Sequence, residues 1–154
     1  MALIFLDTSA LVKLFVSETG SAEVLHLVDP TKEHTVTLLE LSRVELYAAI
    51  HRRERLGDLP AGTARNATDV LSWYMRRHYL VQRLTDSLQD MACSLVDRHG
   101  LRAYDAMQLS GGLKAHADDG RDDTIFVTSD RRLCVAAEAE GLQSLDPTHT
   151  IPPT

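Results

Sequence analysis

The chain has 154 residues, 44% hydrophobic and 25% charged, which suits one domain that buries roughly two-thirds of its unfolded surface. A formal net charge of −6 argues against a general attraction to nucleic acid, and 5% aromatic content argues against broad base-stacking platforms. Any contact with nucleic acid must come from local basic runs: Arg52, Arg53 and Arg55; Arg76, Arg77 and His78; Arg131 and Arg132.

In chain order, residues 3–6 read as a buried strand and residues 9–16 as a helix. A break at residues 17–21 leads to a second helix through residue 28, stopped by Asp29-Pro30. Residues 34–37 form a short strand, and a long helix is expected from Thr37 or a near neighbour to Gly57. Pro60 opens a helix to residue 79, residues 80–84 are a strand, and Thr85 or Asp86 caps a helix that Gly100 ends. A further helix covers residues 103–117. Its Gly111-Gly112 pair costs about 1 kcal/mol per glycine against alanine, so close packing or a kink must offset it. An acidic loop at 118–123, a strand at 125–128, a helix at 130–140 and a strand at 142–145 complete residues 1–147 as a single domain, and residues 148–154 read as a tail. Strands alternating with helices indicate an α/β fold with a central, mainly parallel sheet flanked by helices.

Cys93 and Cys134 make no CxxC or Cys/His ligand spacing and read as buried, reduced thiols. No stretch is long enough to span a membrane and the apolar start lacks a signal-peptide pattern, so the cytoplasm is the expected compartment. The seven histidines show no zinc-ligand spacing, and GxGxxG, Walker and Gly-x-Ser-x-Gly patterns are missing.

Four carboxylates stand out. Asp7 and Asp130 each lie between a strand and a helix, where an open parallel sheet binds its ligands. Each also suits a helix N-cap, although Thr8 or Ser9 offers an alternative cap beside Asp7. Glu45 falls on a helical stripe with Leu38, Leu41, Ala48 and Ala49, where a structural glutamate needs a buried partner. Asp105 benefits from a helix N-terminus but is flanked by Ala103, Ala106 and Leu109. An oxygen-only ligand set selects Mg²⁺ or Mn²⁺. Two such ions about 3.5–4 Å apart suit in-line phosphodiester hydrolysis. The arginine runs are candidates to hold flanking RNA phosphates, with helix-end charge compensation as the alternative for the run at 52–55.

The segments Phe5-Leu6-Asp7-Thr8-Ser9-Ala10-Leu11-Val12-Lys13-Leu14, Ser42-Arg43-Val44-Glu45-Leu46, Leu101-Arg102-Ala103-Tyr104-Asp105-Ala106-Met107-Gln108-Leu109 and Val127-Thr128-Ser129-Asp130-Arg131-Arg132-Leu133 resemble the PIN-domain ribonucleases, in particular the VapC toxins of toxin–antitoxin pairs. The resemblance covers residues 3–146. It implies a PIN-like fold and places Asp7, Glu45, Asp105 and Asp130 as catalytic, Mg²⁺- or Mn²⁺-binding carboxylates, with Thr8, Ser9 and Thr128 as supporting polar groups. It further implies endonucleolytic RNA cleavage, a homodimer and neutralisation by a VapB-type antitoxin. The glycine pair and the acidic loop depart from the family pattern without touching the four acids. Two other readings remain. A non-catalytic PIN-like interaction module would keep the fold and lose the chemistry. An aspartate-based phosphohydrolase would use Asp7 as nucleophile, but Ser9 stands where a second aspartate is needed.

Overall fold

The computed structural model describes residues 1–120 and 122–149. Five strands form one all-parallel sheet in the order β3-β2-β1-β4-β5: β1 Leu3–Leu6, β2 Thr35–Leu39, β3 Leu80–Gln82, β4 Thr124–Val127 and β5 Gln143–Leu145. Seven helices cover its two faces. Along β1, Ile4 and Leu6 point into one core with helices α2 Ser21–Leu27, α3 Ser42–Arg55 and α4 Thr63–Arg77. Leu3 and Phe5 point into the other, with α5 Asp86–His99, α6 Ala103–Asp119 and α7 Arg131–Ala139. A central parallel strand buried on both faces carries no polar alternation, which is why it reads as a plain apolar run.

The same fact corrects the expected helix from Thr37. Residues 37–39 continue β2, with Thr37 paired to Phe5 and Leu39 to Gln82, and the helix begins only at Ser42. Leu38 and Leu39 are both fully buried but on opposite faces, so in sequence they merge with the apolar positions of the helix that follows. The first helix is shorter than expected: α1 Thr8–Leu11 tightens into a 3₁₀ turn at Val12–Leu14. Helix α4 starts at Thr63, after Gly62 in the left-handed region, so Pro60 lies in the preceding turn. Thr85 caps α5 by accepting from the Leu88 amide at 3.2 Å.

The glycine pair is explained by close packing. Phe5 and Phe126 stack with centroids 5.2 Å apart, and α6 lies directly on them. A Cβ on Gly112 would stand 2.6 Å from Phe126 Cδ2, and one on Gly111 3.2 Å from both Phe5 Cζ and Leu39 Cδ1. The helix therefore runs unbroken through the pair and on through Asp119. This shortens the expected acidic loop, because Asp118 sits in the last turn and pairs with Lys114 at 2.8 Å.

The thiol expectation fails for Cys93, which is exposed on α5; Cys134 is half-buried, and both are free. Of the expected tail, Thr148 and His149 belong to a 3₁₀ turn at Pro147–His149 tied to Asp146, while residues 150–154 lie outside the described residues. Among the described residues no helix is long and apolar enough to cross a membrane.

Candidate active site

Parallel strands bring all their carboxyl ends to one edge, and the four acids gather there. Asp7 follows β1 and is 6% exposed. Its amide donates to Val127 O at 3.0 Å, which ties the turn to β4. Its carboxylate caps α1: Oδ1 accepts from the Thr8 amide at 2.7 Å, and Oδ2 accepts from the Ser9 and Thr128 hydroxyls at 2.7 and 2.8 Å. The N-cap duty thus falls to Asp7 itself, and Ser9 is turned to other work. Ser9 Oγ accepts from the Ser129 amide at 2.8 Å and Thr128 Oγ1 from the Asp130 amide at 3.1 Å. Two hydroxyls stitch the β1 and β4 turns together through one carboxylate. Burial nevertheless outweighs these donors and pushes the Asp7 carboxyl above its ordinary range.

Glu45 lies in the first turn of α3, half-buried at the edge of a stripe formed by Ser42, Leu46 and Ile50 rather than the one expected with Leu38. Its partners are Thr8 Oγ1, which donates to Oε2 at 2.7 Å, and Gln108 Nε2. Gln108 is 1% exposed on α6, and Nε2 also stands 3.0 Å from Thr8 Oγ1 and 3.1 Å from Ser42 Oγ. Sequence reasoning missed this residue. The available signal was a polar side chain between Met107 and Leu109, one turn after Asp105 and so on the same helical face. Glu45 also has a raised carboxyl pKa, first from burial and then from the charges of Asp7 and Asp105, against the two hydrogen bonds.

Asp105, in the first turn of α6, is half-buried, and no side chain or amide among the described residues hydrogen-bonds its carboxylate. Burial raises its pKa, with Asp130 and Asp7 adding to the effect and Arg102 and Arg132 opposing it. Asp130 caps α7, with Oδ1 accepting from the Arg132 and Leu133 amides at 2.8 and 3.2 Å. The four acids therefore form a single charge neighbourhood: Glu45 feels Asp7 and Asp105, and Asp105 feels Asp7 and Asp130.

The predicted arginines are spread out. Arg52, Arg53 and Arg55 occupy the last turn of α3, about 10–15 Å along the axis from Glu45. Arg53 bonds Glu18 at 3.0 Å, and Glu18 also takes the buried Lys13 at 2.8 Å. Arg77 lies over the Trp73 ring, 5.2 Å from its centroid, while Arg76 lines a separate cleft at the ends of β2 and β3. Arg131 is exposed at the start of α7, next to Asp130.

Oxygen-only chemistry and converging negative charge both fit a hard divalent cation. The side chains as placed do not enclose one: among the described residues, no three His, Cys, Asp or Glu groups are grouped to hold a metal ion. The Asp7 oxygens accept from hydroxyl and amide donors, the partners a buried carboxylate needs. Asp105 has no hydrogen bond to lose in turning toward an ion.

Fold and site together define an α/β protein with carboxylates from four segments at one sheet edge. The chain belongs to the PIN domain family, whose model matches residues 4–139. Several solved structures share the fold, three of them as follows. The crystal structure of PAE2754 from Pyrobaculum aerophilum is 23% identical with a TM-score of 0.61, and the match covers 94% of this chain and 83% of that one. VapBC2 from Rickettsia felis, bound to a DNA fragment from its promoter, is 13% identical with a TM-score of 0.59 and coverages of 93% and 97%. FitAcB from Neisseria gonorrhoeae is 17% identical with a TM-score of 0.56 and coverages of 96% and 99%. No curated protein matches the chain.

Proposed function

We propose that the chain is a Mg²⁺- or Mn²⁺-dependent endoribonuclease, the toxin of a pair neutralised by a VapB-type antitoxin. PIN domains are generally nucleases. The observation that carries the reading here is the charge coupling of Asp7, Glu45, Asp105 and Asp130 at the strand ends, two of them with a carboxyl held up by burial and like charge. Such an arrangement is unfavourable in itself and is relieved by a cation. Bound by these acids, a divalent ion would neutralise a scissile phosphate and acidify an attacking water. The protein's own part is orientation. Ser9 and Thr128 hold Asp7, while Thr8 and Gln108 hold Glu45, so each carboxylate keeps a fixed place relative to the phosphate.

An antitoxin partner is supported by the VapBC2 neighbour and by an apolar groove of about 850 Å³ between α2 and α4. Leu25, Val70, Trp73 and Tyr74 line it and are 38–53% exposed, an apolar concavity of the kind a partner's side chains can fill. Homodimerisation and a cytoplasmic setting complete the proposal. The groove is also what a non-catalytic interaction module would present, and one assay separates the two. Contaminant-free protein should cleave single-stranded RNA with Mg²⁺ or Mn²⁺ and stop in excess EDTA. Undiminished cleavage in EDTA would remove the metal from the proposal; no cleavage under any metal would leave the interaction module.

A further inference from the structure

A second cleft lies on the same sheet edge as the acids. It has a volume of about 440 Å³ and is lined by Arg43, Arg76 and Arg83 together with Glu40, Ser72, Met75 and Val81. Glu40 directly follows β2 and Arg83 directly follows β3, and the Glu40 amide bonds Gln82 O at 2.9 Å. In the order β3-β2-β1-β4 these positions are one and two strand spacings from Asp7, about 5 and 10 Å. Arg43 shares the first turn of α3 with Glu45.

What sets the three arginines apart is that they converge on one cleft with their guanidinium groups uncommitted. Arg53 and Arg98 are bound to glutamates, Arg132 to Gly100 O, and Arg77 covers Trp73. Among the described residues, Arg43, Arg76 and Arg83 make no ion pair or hydrogen bond, and all three are exposed. The single acid in the cleft is already engaged, because Glu40 Oε1 accepts from the Leu84 amide at 2.6 Å. Three unpaired guanidinium groups around one concavity suit phosphate oxygens in planar, bidentate geometry. No aromatic ring lines the cleft on which a base could stack.

We propose that Arg43, Arg76 and Arg83 form a phosphate-binding subsite that holds the RNA backbone a short way from the scissile bond, independently of base identity. The subsite rests on the nuclease reading above for its substrate, but its test does not depend on cleavage. Binding of a fluorescently labelled single-stranded RNA is followed by anisotropy across a salt series in EDTA, with the RNA checked for integrity afterwards. Changing all three arginines to Gln should lower affinity for purine-rich and pyrimidine-rich RNAs alike. It should also flatten the log–log salt slope by about two, at roughly 0.7 per phosphate on a single strand. The triple Arg→Lys variant should keep most of the slope, since it keeps the charges, while losing affinity with the planar fork. In cleavage assays the Gln variant should raise KM and leave kcat near that of wild type. An unchanged slope in the Gln variant overturns the subsite, as does equal loss of slope in the Lys variant, which would mark a structural role. Binding of a poly-glutamate peptide of matched charge as tightly as RNA, and its equal loss in the Gln variant, would assign the cleft to an acidic protein partner instead. Failure of the nuclease reading looks different: no cleavage by wild type, with the RNA-binding slope intact.

Discussion

The turns after β1 and β4 use the same device, an aspartate that ends a strand and caps a helix, yet they hold it in different ways. Asp7 is 6% exposed and takes hydroxyl donors from both turns. Asp130 is half-buried, and among the described residues its carboxylate bonds only the amides of its own helix. The comparison teaches that capping and site chemistry are compatible in one residue. Where the structure brings in outside donors, the cap is also a fixed point of the site; where it does not, the cap alone accounts for the side chain's position.

Activity offers the sharpest way to break this distinction. Asp7→Asn should slow RNA cleavage at least about a hundredfold, or roughly 2.7 kcal/mol of barrier, and Glu45→Gln and Asp105→Asn should follow closely. Asp130→Asn should lose no more than about tenfold, because Asn retains the oxygen that caps α7. Steady-state cleavage rates check the order; an Asp130→Asn as inactive as Asp7→Asn would erase the contrast between the turns.

Thr128 joins the two turns, donating to Asp7 and accepting from the Asp130 amide while fully buried. Thr128→Val keeps the shape and removes both bonds, so it should destabilise the chain by about 1–3 kcal/mol. Urea unfolding measures the change; a cost near zero would mean the turns are held independently.

A smaller effect concerns the metal-free fold. Asp7, Glu45 and Asp105 have carboxyl pKa values raised above their unfolded values. Raised acids destabilise the fold when ionised. The penalty is absent below the ordinary carboxylate pKa of about 4 and grows as pH rises through it toward the folded values. In EDTA, Asp105→Asn and Glu45→Gln should therefore match wild type near pH 4 and melt a few degrees higher at pH 7, since about 1 kcal/mol moves a domain of this size by about 2–4 °C. Asp7→Asn should gain least, because its amide would face hydroxyl donors that now satisfy the carboxylate. A thermal melt series across pH decides this, and a gain that shrinks with rising pH would reverse the sign of the argument.

Much of the fold was legible because its signals are local. Thr85 and Gly100 bound a helix through capping geometry that depends on a few residues. The boundary of β2 was not legible, because a strand buried on two faces and an apolar helix start look alike across Leu38-Leu39. In the site, the acids showed as charges in apolar company, which needs only the sequence. Gln108 did not, since its meaning lies in reaching Glu45, 63 residues away. The same holds for Arg43, Arg76 and Arg83, which are scattered in the chain and meet only at the sheet edge.

The glycine pair has a consequence for how finely the site is machined. Gly111 and Gly112 set the clearance between α6 and the Phe5–Phe126 stack, and the same rigid helix carries Asp105 and Gln108. Its seating therefore fixes how high two groups of the site stand above Asp7. A single methyl at Gly112 meets the Phe126 ring at 2.6 Å and acts as a shim, so either the ring or the helix must give way. Catalysis can lose about a hundredfold from a 1 Å misplacement. The height of the site is thus set beneath α6, at two residues with no side chain at all.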